Sequence, residues 1–170
     1  MLPEEIADAR QRRYNGTIAF LKKPHPELMI LRVKPDFTRP AHRAGQYCSL
    51  GLGNWEPRFP GCQQEELKPT DESKVVRRAY SISNSILDSG GQLLDVASTD
   101  YLEFYITLVK EGADPTKPPA LTPRLFMMRE GDRLNIGEKI TGHFTLEAVK
   151  PGDTVLFLGT GTGEAPHNYM

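Results

Sequence analysis

Apolar and β-branched residues recur along the chain in short stretches that turn-forming residues separate from one another. The clearest stretch, residues 102–110, combines aromatic, β-branched and leucine side chains, a composition typical of strands. A cluster with two prolines at residues 22–26 divides two other stretches and indicates a turn. We predict strands at residues 17–21, 28–33, 45–50, 75–83, 102–110, 132–136 and 143–146.

Two further stretches are predicted to be helical. Residues 3–13 form a short polar helix in this interpretation. In residues 121–128, Thr122 is the expected N-cap and Pro123 occupies the expected first helical position. Several short strands with a single helix among them favour an all-β fold, an antiparallel barrel capped by that helix.

Two long segments are predicted to be loops. Residues 51–74 are rich in proline, glycine, asparagine and aspartate and have no sustained periodicity. A loop of this length is unusual in a compact domain, so we expect it to be functional or mobile. Residues 112–119 contain three prolines and are expected to form a second exposed loop.

The last part of the chain has a different pattern. Residues 154–158 form a continuous apolar run, and three glycines separated by threonines follow at residues 159–163. A buried strand that leads into a glycine-rich turn is typical of the start of a parallel α/β nucleotide-binding domain. We therefore predict a barrel domain over residues 1–150 and the incomplete start of a second domain over residues 151–170.

Composition narrows the class of protein further. The formal net charge of −1 gives no electrostatic case for a nucleic-acid or membrane partner. Cys48 and Cys62 form neither a CxxC motif nor a Cys/His cluster, so we expect no metal site, no disulfide framework and a reducing cytoplasm. The acidic N-terminus lacks the apolar centre of a signal peptide, and no apolar run approaches the roughly 20 residues that span a bilayer.

Arg78, Ala79, Tyr80 and Ser81 form the first candidate for chemistry. Side chains alternate along a strand, so Arg78 and Tyr80 point to the same face. A guanidinium that matches phosphate oxygens then lies beside an aromatic ring and a hydroxyl, as a flavin dinucleotide requires. As a bare tetrapeptide, the sequence also fits an exposed arginine beside a tyrosine in the core.

Two backbone sites could bind anions. The glycines of residues 159–163 would let the backbone approach a pyrophosphate, although Gly-Thr repeats also occur in ordinary turns. The spacing differs from the G-x-G-x-x-G fingerprint, and no lysine follows as a P-loop requires. The predicted helix start at residues 121–125 presents backbone N–H groups and the Thr122 hydroxyl, but it also fits a plain N-cap.

Taken in order, seven motifs resemble the ferredoxin–NADP⁺ reductase family, and the bacterial branch most of all. They cover most of residues 14–168. The motifs are Gly45-Gln-Tyr (after Ala44, where the family usually has proline), Arg78-Ala-Tyr-Ser81, Phe104-Tyr-Ile-Thr-Leu-Val109, Leu121-Thr-Pro-Arg-Leu125, Gly131-Asp132, Gly142-His-Phe144 and Gly159-Thr-Gly-Thr-Gly-Glu-Ala-Pro166.

The resemblance implies a six-stranded Greek-key barrel that binds FAD, and it implies a role for each motif. Arg78 would bind the FAD phosphates, Tyr80 would stack on the flavin ring, and Ser81 would lie near its N5 atom. Tyr80 and Ser81 would thus be closest to the chemistry. The other implied cofactor-binding residues are Ala79, Tyr105, Ile106, Leu108, Leu121 and Thr122 for FAD, with Thr160, Gly161 and Gly163 at the junction with NADP(H).

The implied activity is electron transfer between NADP(H) and ferredoxin or flavodoxin through FAD. Alternatives are an NAD(P)H-dependent flavin reductase, an oxygenase reductase component, or an FAD-binding module without activity of its own. Three features differ from the family pattern. Residues 51–74 are longer than the usual link, Glu164 places a negative charge near the expected phosphate, and the chain has no positions for the rest of a nicotinamide domain.

Overall fold

The computed structural model describes residues 1–88 and 90–170. Its strands are β1 (Gly16–His25), β2 (Leu28–Pro35), β3 (Tyr47–Gly53), β4 (Val75–Ser81), β5 (Leu102–Thr107) and β6 (Arg133–Ile136). Its helices are α1 (Pro3–Arg13) and α2 (Thr122–Leu125), with 3₁₀ turns at Val96–Ser98, Leu146–Ala148, Gly161–Glu164 and His167–Tyr169. The helix predicted over residues 3–13 is confirmed, and every predicted barrel strand except residues 143–146 overlaps an observed strand.

The six strands form one antiparallel sheet in the order β4–β3–β6–β1–β2–β5. Strand β6 lies between β1 and β3, which gives the connections a Greek-key arrangement. The sheet curls so that its edge strands β4 and β5 approach each other. Beyond β4, the Ser83 N–H donates to the Glu103 carbonyl at 2.8 Å. We call the boundary between β4 and β5 the seam. The predicted all-β, six-stranded architecture is confirmed.

The strand predicted at residues 143–146 is wrong. The nearest sheet contact is a single antiparallel bridge between Thr141 and Tyr47. Gly142 then adopts a φ of 129°, a conformation that L side chains rarely adopt, and the following residues are not paired in the sheet. Phe144 is 54% exposed, so its aromatic side chain does not contribute to the core.

Alternating burial along β2 supplies the centre of the core. Met29, Leu31 and Val33 are fully buried, whereas the residues between them are partly exposed, as expected for a strand with one face toward the core. Leu125 and Phe126 join the same buried cluster. The segment around α2 therefore covers one end of the barrel, as the sequence predicts.

Helix α2 is shorter than predicted, and its N-cap is Leu121 rather than Thr122. Thr122 is the first helical residue, and its Oγ1 atom accepts a hydrogen bond from the Val109 N–H at 3.1 Å. The hydroxyl therefore binds the end of the neighbouring strand segment instead of capping its own helix. The prediction that residues 121–128 are helical throughout is wrong, since regular helix ends at Leu125.

A buried carboxylate joins α1 to the end of β3. The Glu56 side chain is 1% exposed, and its Oε1 atom accepts from Arg10 Nε at 2.8 Å, Tyr14 OH at 2.9 Å and Trp55 Nε1 at 3.0 Å. Tyr14 OH in turn accepts from the Gly53 N–H at 2.8 Å. Burial raises the pKa of the Tyr14 phenol, which therefore stays neutral as a donor.

We expect Glu56→Gln to lower the free energy of unfolding by about 1–3 kcal/mol, because the amide keeps the shape but loses the charge that binds Arg10. Urea denaturation followed by circular dichroism measures the change. Glu66→Gln is the matched control, because Glu66 is exposed. Equal stability of the two variants would contradict the expectation.

Candidate functional site

A cavity of about 430 Å³ opens at the seam. Three parts of the chain surround it: the middle of β4, the end of β5 with the segment after it, and the start of α2 with the loop before it. Its lining residues are Arg78, Ala79, Tyr80, Tyr105, Ile106, Thr107, Val109, Gly112, Lys117, Pro118, Pro119, Ala120, Leu121, Thr122 and Thr162. The size lies within the range of small-molecule sites.

Strand β4 contributes a cation and an aromatic ring to this cavity. β4 pairs with β3 on one side only, and its other edge faces the seam. The exposed Arg78 guanidinium donates to the Arg77 carbonyl at 2.8 Å and forms no ion pair within residues 1–88 and 90–170. Its charge is therefore available to an anionic ligand.

Tyr80 keeps a neutral hydroxyl at the cavity. Burial of its ring raises the pKa of the phenol to about 12, although the positive charge of Arg78 acts in the opposite direction. The phenol therefore remains protonated throughout the physiological range and can donate a hydrogen bond without bringing a negative charge to the cavity. Arg78, Ala79 and Tyr80 all line this cavity.

The structure brings seven of the predicted site residues together around the cavity: Arg78, Ala79, Tyr80, Tyr105, Ile106, Leu121 and Thr122. The other five lie outside its lining. Leu108 is 7% exposed and belongs to the hydrophobic core, and Ser81 is half-buried at the end of β4, opposite Tyr47 of β3. Thr160, Gly161 and Gly163 are exposed.

The glycine-rich turn reaches the cavity through a residue that the sequence did not single out. Thr162, in the 3₁₀ turn Gly161–Glu164, lines the cavity beside the β4 and β5 residues. Gly161 has a φ of 56°, which favours glycine at this position.

The strand predicted at residues 154–158 is wrong. No strand of the described ranges pairs with this segment, and its side chains are exposed, with Leu156 at 78% and Leu158 at 81%. A strand needs hydrogen-bonding neighbours, and the barrel sheet offers none at this position.

The loop before α2 contributes cavity residues that the sequence analysis did not predict. Gly112, Lys117, Pro118, Pro119 and Ala120 line one side. The proline content indicated an exposed loop, but no local pattern showed what the loop lies against. A signal that could have indicated this segment is Lys117, a cation shortly before the expected phosphate site at residues 121–122.

Comparisons with known proteins identify relatives of the barrel. No protein-family model matches the chain. The flavodoxin/ferredoxin–NADP reductase of Rhodobacter capsulatus is 33% identical over 96 residues, which are 56% of this chain and 29% of that protein. The enzyme of the same name from Escherichia coli K12 is 32% identical over 124 residues, 73% of this chain and 36% of its own length. The chain is therefore similar in sequence to one part of these ferredoxin–NADP reductases.

Solved structures of ferredoxin–NADP⁺ reductases share this fold. A ferredoxin NADP⁺ reductase from Neisseria gonorrhoeae, solved with bound FAD and NADP, superimposes with a TM-score of 0.60 at 21% identity, over 91% of this chain and 48% of that one. The enzyme from Plasmodium falciparum gives a TM-score of 0.57. The chain spans about a third of the length of the curated ferredoxin–NADP⁺ reductases it matches.

Among residues 1–88 and 90–170, no group of three or more histidine, cysteine, aspartate or glutamate side chains could hold a metal ion. None of the helices in the same residues has the length and apolar character needed to cross a membrane.

Proposed function

We propose that this chain binds FAD in the cavity at the seam, as the flavin part of an oxidoreductase that passes electrons between NADP(H) and ferredoxin or flavodoxin. The observation that carries the proposal is that Arg78, Tyr80 and Tyr105, from two edge strands, line one cavity. The names of its relatives and the FAD and NADP bound in the Neisseria structure support the same cofactors here.

The residues of the cavity fit a flavin dinucleotide. The guanidinium of Arg78 would hold the phosphates through charge-assisted hydrogen bonds, and the Tyr80 ring would stack on the isoalloxazine. Leu121 and Thr122 would contact the pyrophosphate from the opposite wall. Bound FAD would supply the redox chemistry, accepting a hydride and releasing single electrons. The neutral Tyr80 phenol would add no negative charge beside a reduced flavin.

The predicted residues outside the cavity lining keep their proposed roles next to it. Ser81 directly follows Tyr80, and we place its hydroxyl near the flavin N5 atom. Leu108 would support the flavin wall from the core. We propose that Thr160, Gly161 and Gly163 meet NADP(H), which the position of Thr162 in the cavity lining supports. In this proposal the barrel domain covers residues 1–150, and residues 151–170 begin the NADP-binding domain.

A cytoplasmic location agrees with this proposal. Cys48 and Cys62 are both free thiols, as expected in a reducing compartment. Burial raises the pKa of Cys48 to about 12, so this thiol is inert and gives no sign of a redox role of its own.

We expect the purified chain to bind one FAD per molecule, seen as quenching of flavin fluorescence on titration. Flavin bound to the protein and reduced by light should then be reoxidised by ferredoxin or flavodoxin faster than by free flavin. A protein that binds no added FAD contradicts the proposal as a whole. Preference for free flavin would instead assign a flavin reductase.

A further inference from the structure

Two long loops contact each other beside the cavity. The first, residues 54–66, follows β3, and we call it the brace. The second, residues 110–120, follows β5 and supplies the side of the cavity that contains Lys117, so we call it the wall loop. The brace itself does not line the cavity.

Gln63 binds the wall loop at three points. Its backbone N–H donates to the Lys110 carbonyl at 2.8 Å, and its side-chain Nε2 donates to the Pro115 carbonyl at 2.5 Å. Its Oε1 atom accepts from the Gly112 N–H at 2.8 Å. The Gln63 side chain thus gives a hydrogen-bond partner to one backbone N–H and one backbone carbonyl of the wall loop, which are not paired in the sheet.

Gly112 lies where the wall loop folds back on itself. A Cβ atom at this position would approach the Lys117 carbonyl oxygen to 2.1 Å, so only glycine fits. The conformation that Gln63 holds therefore also determines where the backbone of Lys117 lies.

A buried ionic cluster binds the other end of the wall loop. Glu65 accepts from Arg124 at 2.6 Å and from Arg58 at 3.1 Å, and the side chains of Glu65 and Arg124 are 9% and 1% exposed. Arg58 also donates to the Pro119 carbonyl at 2.9 Å, and Arg124 donates to the Ala120 carbonyl at 2.5 Å. Two guanidinium groups share one carboxylate, so the cluster has a formal charge of +1.

We propose that the brace positions the wall loop for the phosphates of the flavin dinucleotide, with Gln63 as its positioning residue and Lys117 as the phosphate-binding cation. The proposal rests on the proposed function. Lys117 is 81% exposed, and its ion pair within residues 1–88 and 90–170 is with Asp114 at 3.1 Å, so its charge is available to a phosphate in the cavity that Arg78 also lines. Without the brace, the loop would have to be ordered at the moment of binding, which lowers affinity.

The test compares Gln63→Ala with Gln64→Ala, because Gln64 is the adjacent, exposed glutamine. We expect Gln63→Ala to raise the dissociation constant for FAD roughly tenfold, with riboflavin, which has no phosphate, bound as tightly as by the unchanged chain. Gln64→Ala should match the unchanged chain for both ligands. A merely structural role for Gln63 would weaken both ligands equally, which would overturn the proposal.

A double-mutant cycle tests the route through Lys117. Lys117→Met alone should weaken FAD binding, and Gln63→Ala added to it should weaken binding much less than it does alone, since both changes remove one interaction. Fully additive losses of affinity would contradict the proposal that Gln63 acts through Lys117. Amide hydrogen exchange without FAD supplies an independent readout, in which Gln63→Ala speeds exchange at residues 112–120.

The outcomes separate the two proposals. If the unchanged chain and Gln63→Ala bind FAD with equal affinity, the proposed function is supported and the proposed role of the brace is contradicted. Failure of the unchanged chain to bind FAD overturns both.

Discussion

Arg78→Ala is expected to weaken FAD binding by about 30- to 100-fold, the effect of losing charge-assisted hydrogen bonds worth about 2–3 kcal/mol. The guanidinium lines the cavity and is free of any carboxylate in the described part of the chain, so its removal affects the ligand rather than an internal ion pair. Flavin fluorescence titration measures the affinity. The effect should shrink at high salt, because screening already weakens the interaction in the unchanged chain.

Arg77→Ala is the matched control for this change. Arg77 is adjacent on the same strand and is also exposed, but it lies outside the cavity lining and its Nε donates to Asn135 Oδ1 at 2.7 Å. It removes the same charge from the protein as a whole. A loss of affinity equal to that of Arg78→Ala would show that net charge, rather than a specific contact, attracts the cofactor.

Arg124→Met is expected to lower the free energy of unfolding by about 3–5 kcal/mol, because it removes three buried hydrogen bonds that a charged guanidinium donates. Arg124 is fully buried and donates to Glu65 and to the carbonyls of Ala120 and Asn54. Methionine fills much of the volume but leaves the two carbonyls without this donor, whereas Glu65 keeps its ion pair with Arg58. Thermal and urea denaturation of the cofactor-free protein measure the change.

The control for this variant is Arg129→Met, at an exposed position shortly after α2. We expect it to change stability by less than about 0.5 kcal/mol, as surface substitutions usually do. If Arg124→Met were as stable as this control, the buried cluster would contribute no net stability, and the wall loop would owe its conformation to other contacts.

The sequence predicts the barrel strands and α1 well because local patterns encode them. The apolar run of residues 28–33 marks β2 as a strand, and the aromatic and β-branched content of residues 102–110 marks β5. The ordered motifs predict which segments carry the site. Seven predicted residues then line one cavity, although they come from segments far apart in the chain.

The errors arise where structure depends on distant partners. Residues 154–158 have the composition of a strand, but no neighbouring edge pairs with them in the described structure. Thr122 has the features of an N-cap, but its hydroxyl binds the Val109 N–H. The brace has no periodicity, and its contacts, such as that of Gln63 with Pro115, join residues about fifty positions apart. No local pattern contains such information.

The seam has a consequence for the handling of the protein. β4 and β5 are the two edges of the sheet, and along most of their length they do not pair with each other. Unpaired edges offer backbone donors and acceptors to any strand that approaches, including one from a second copy of the chain. A cofactor lying over the seam would cover these groups. Expression with sufficient flavin should therefore leave more of the chain monomeric and less of it aggregated.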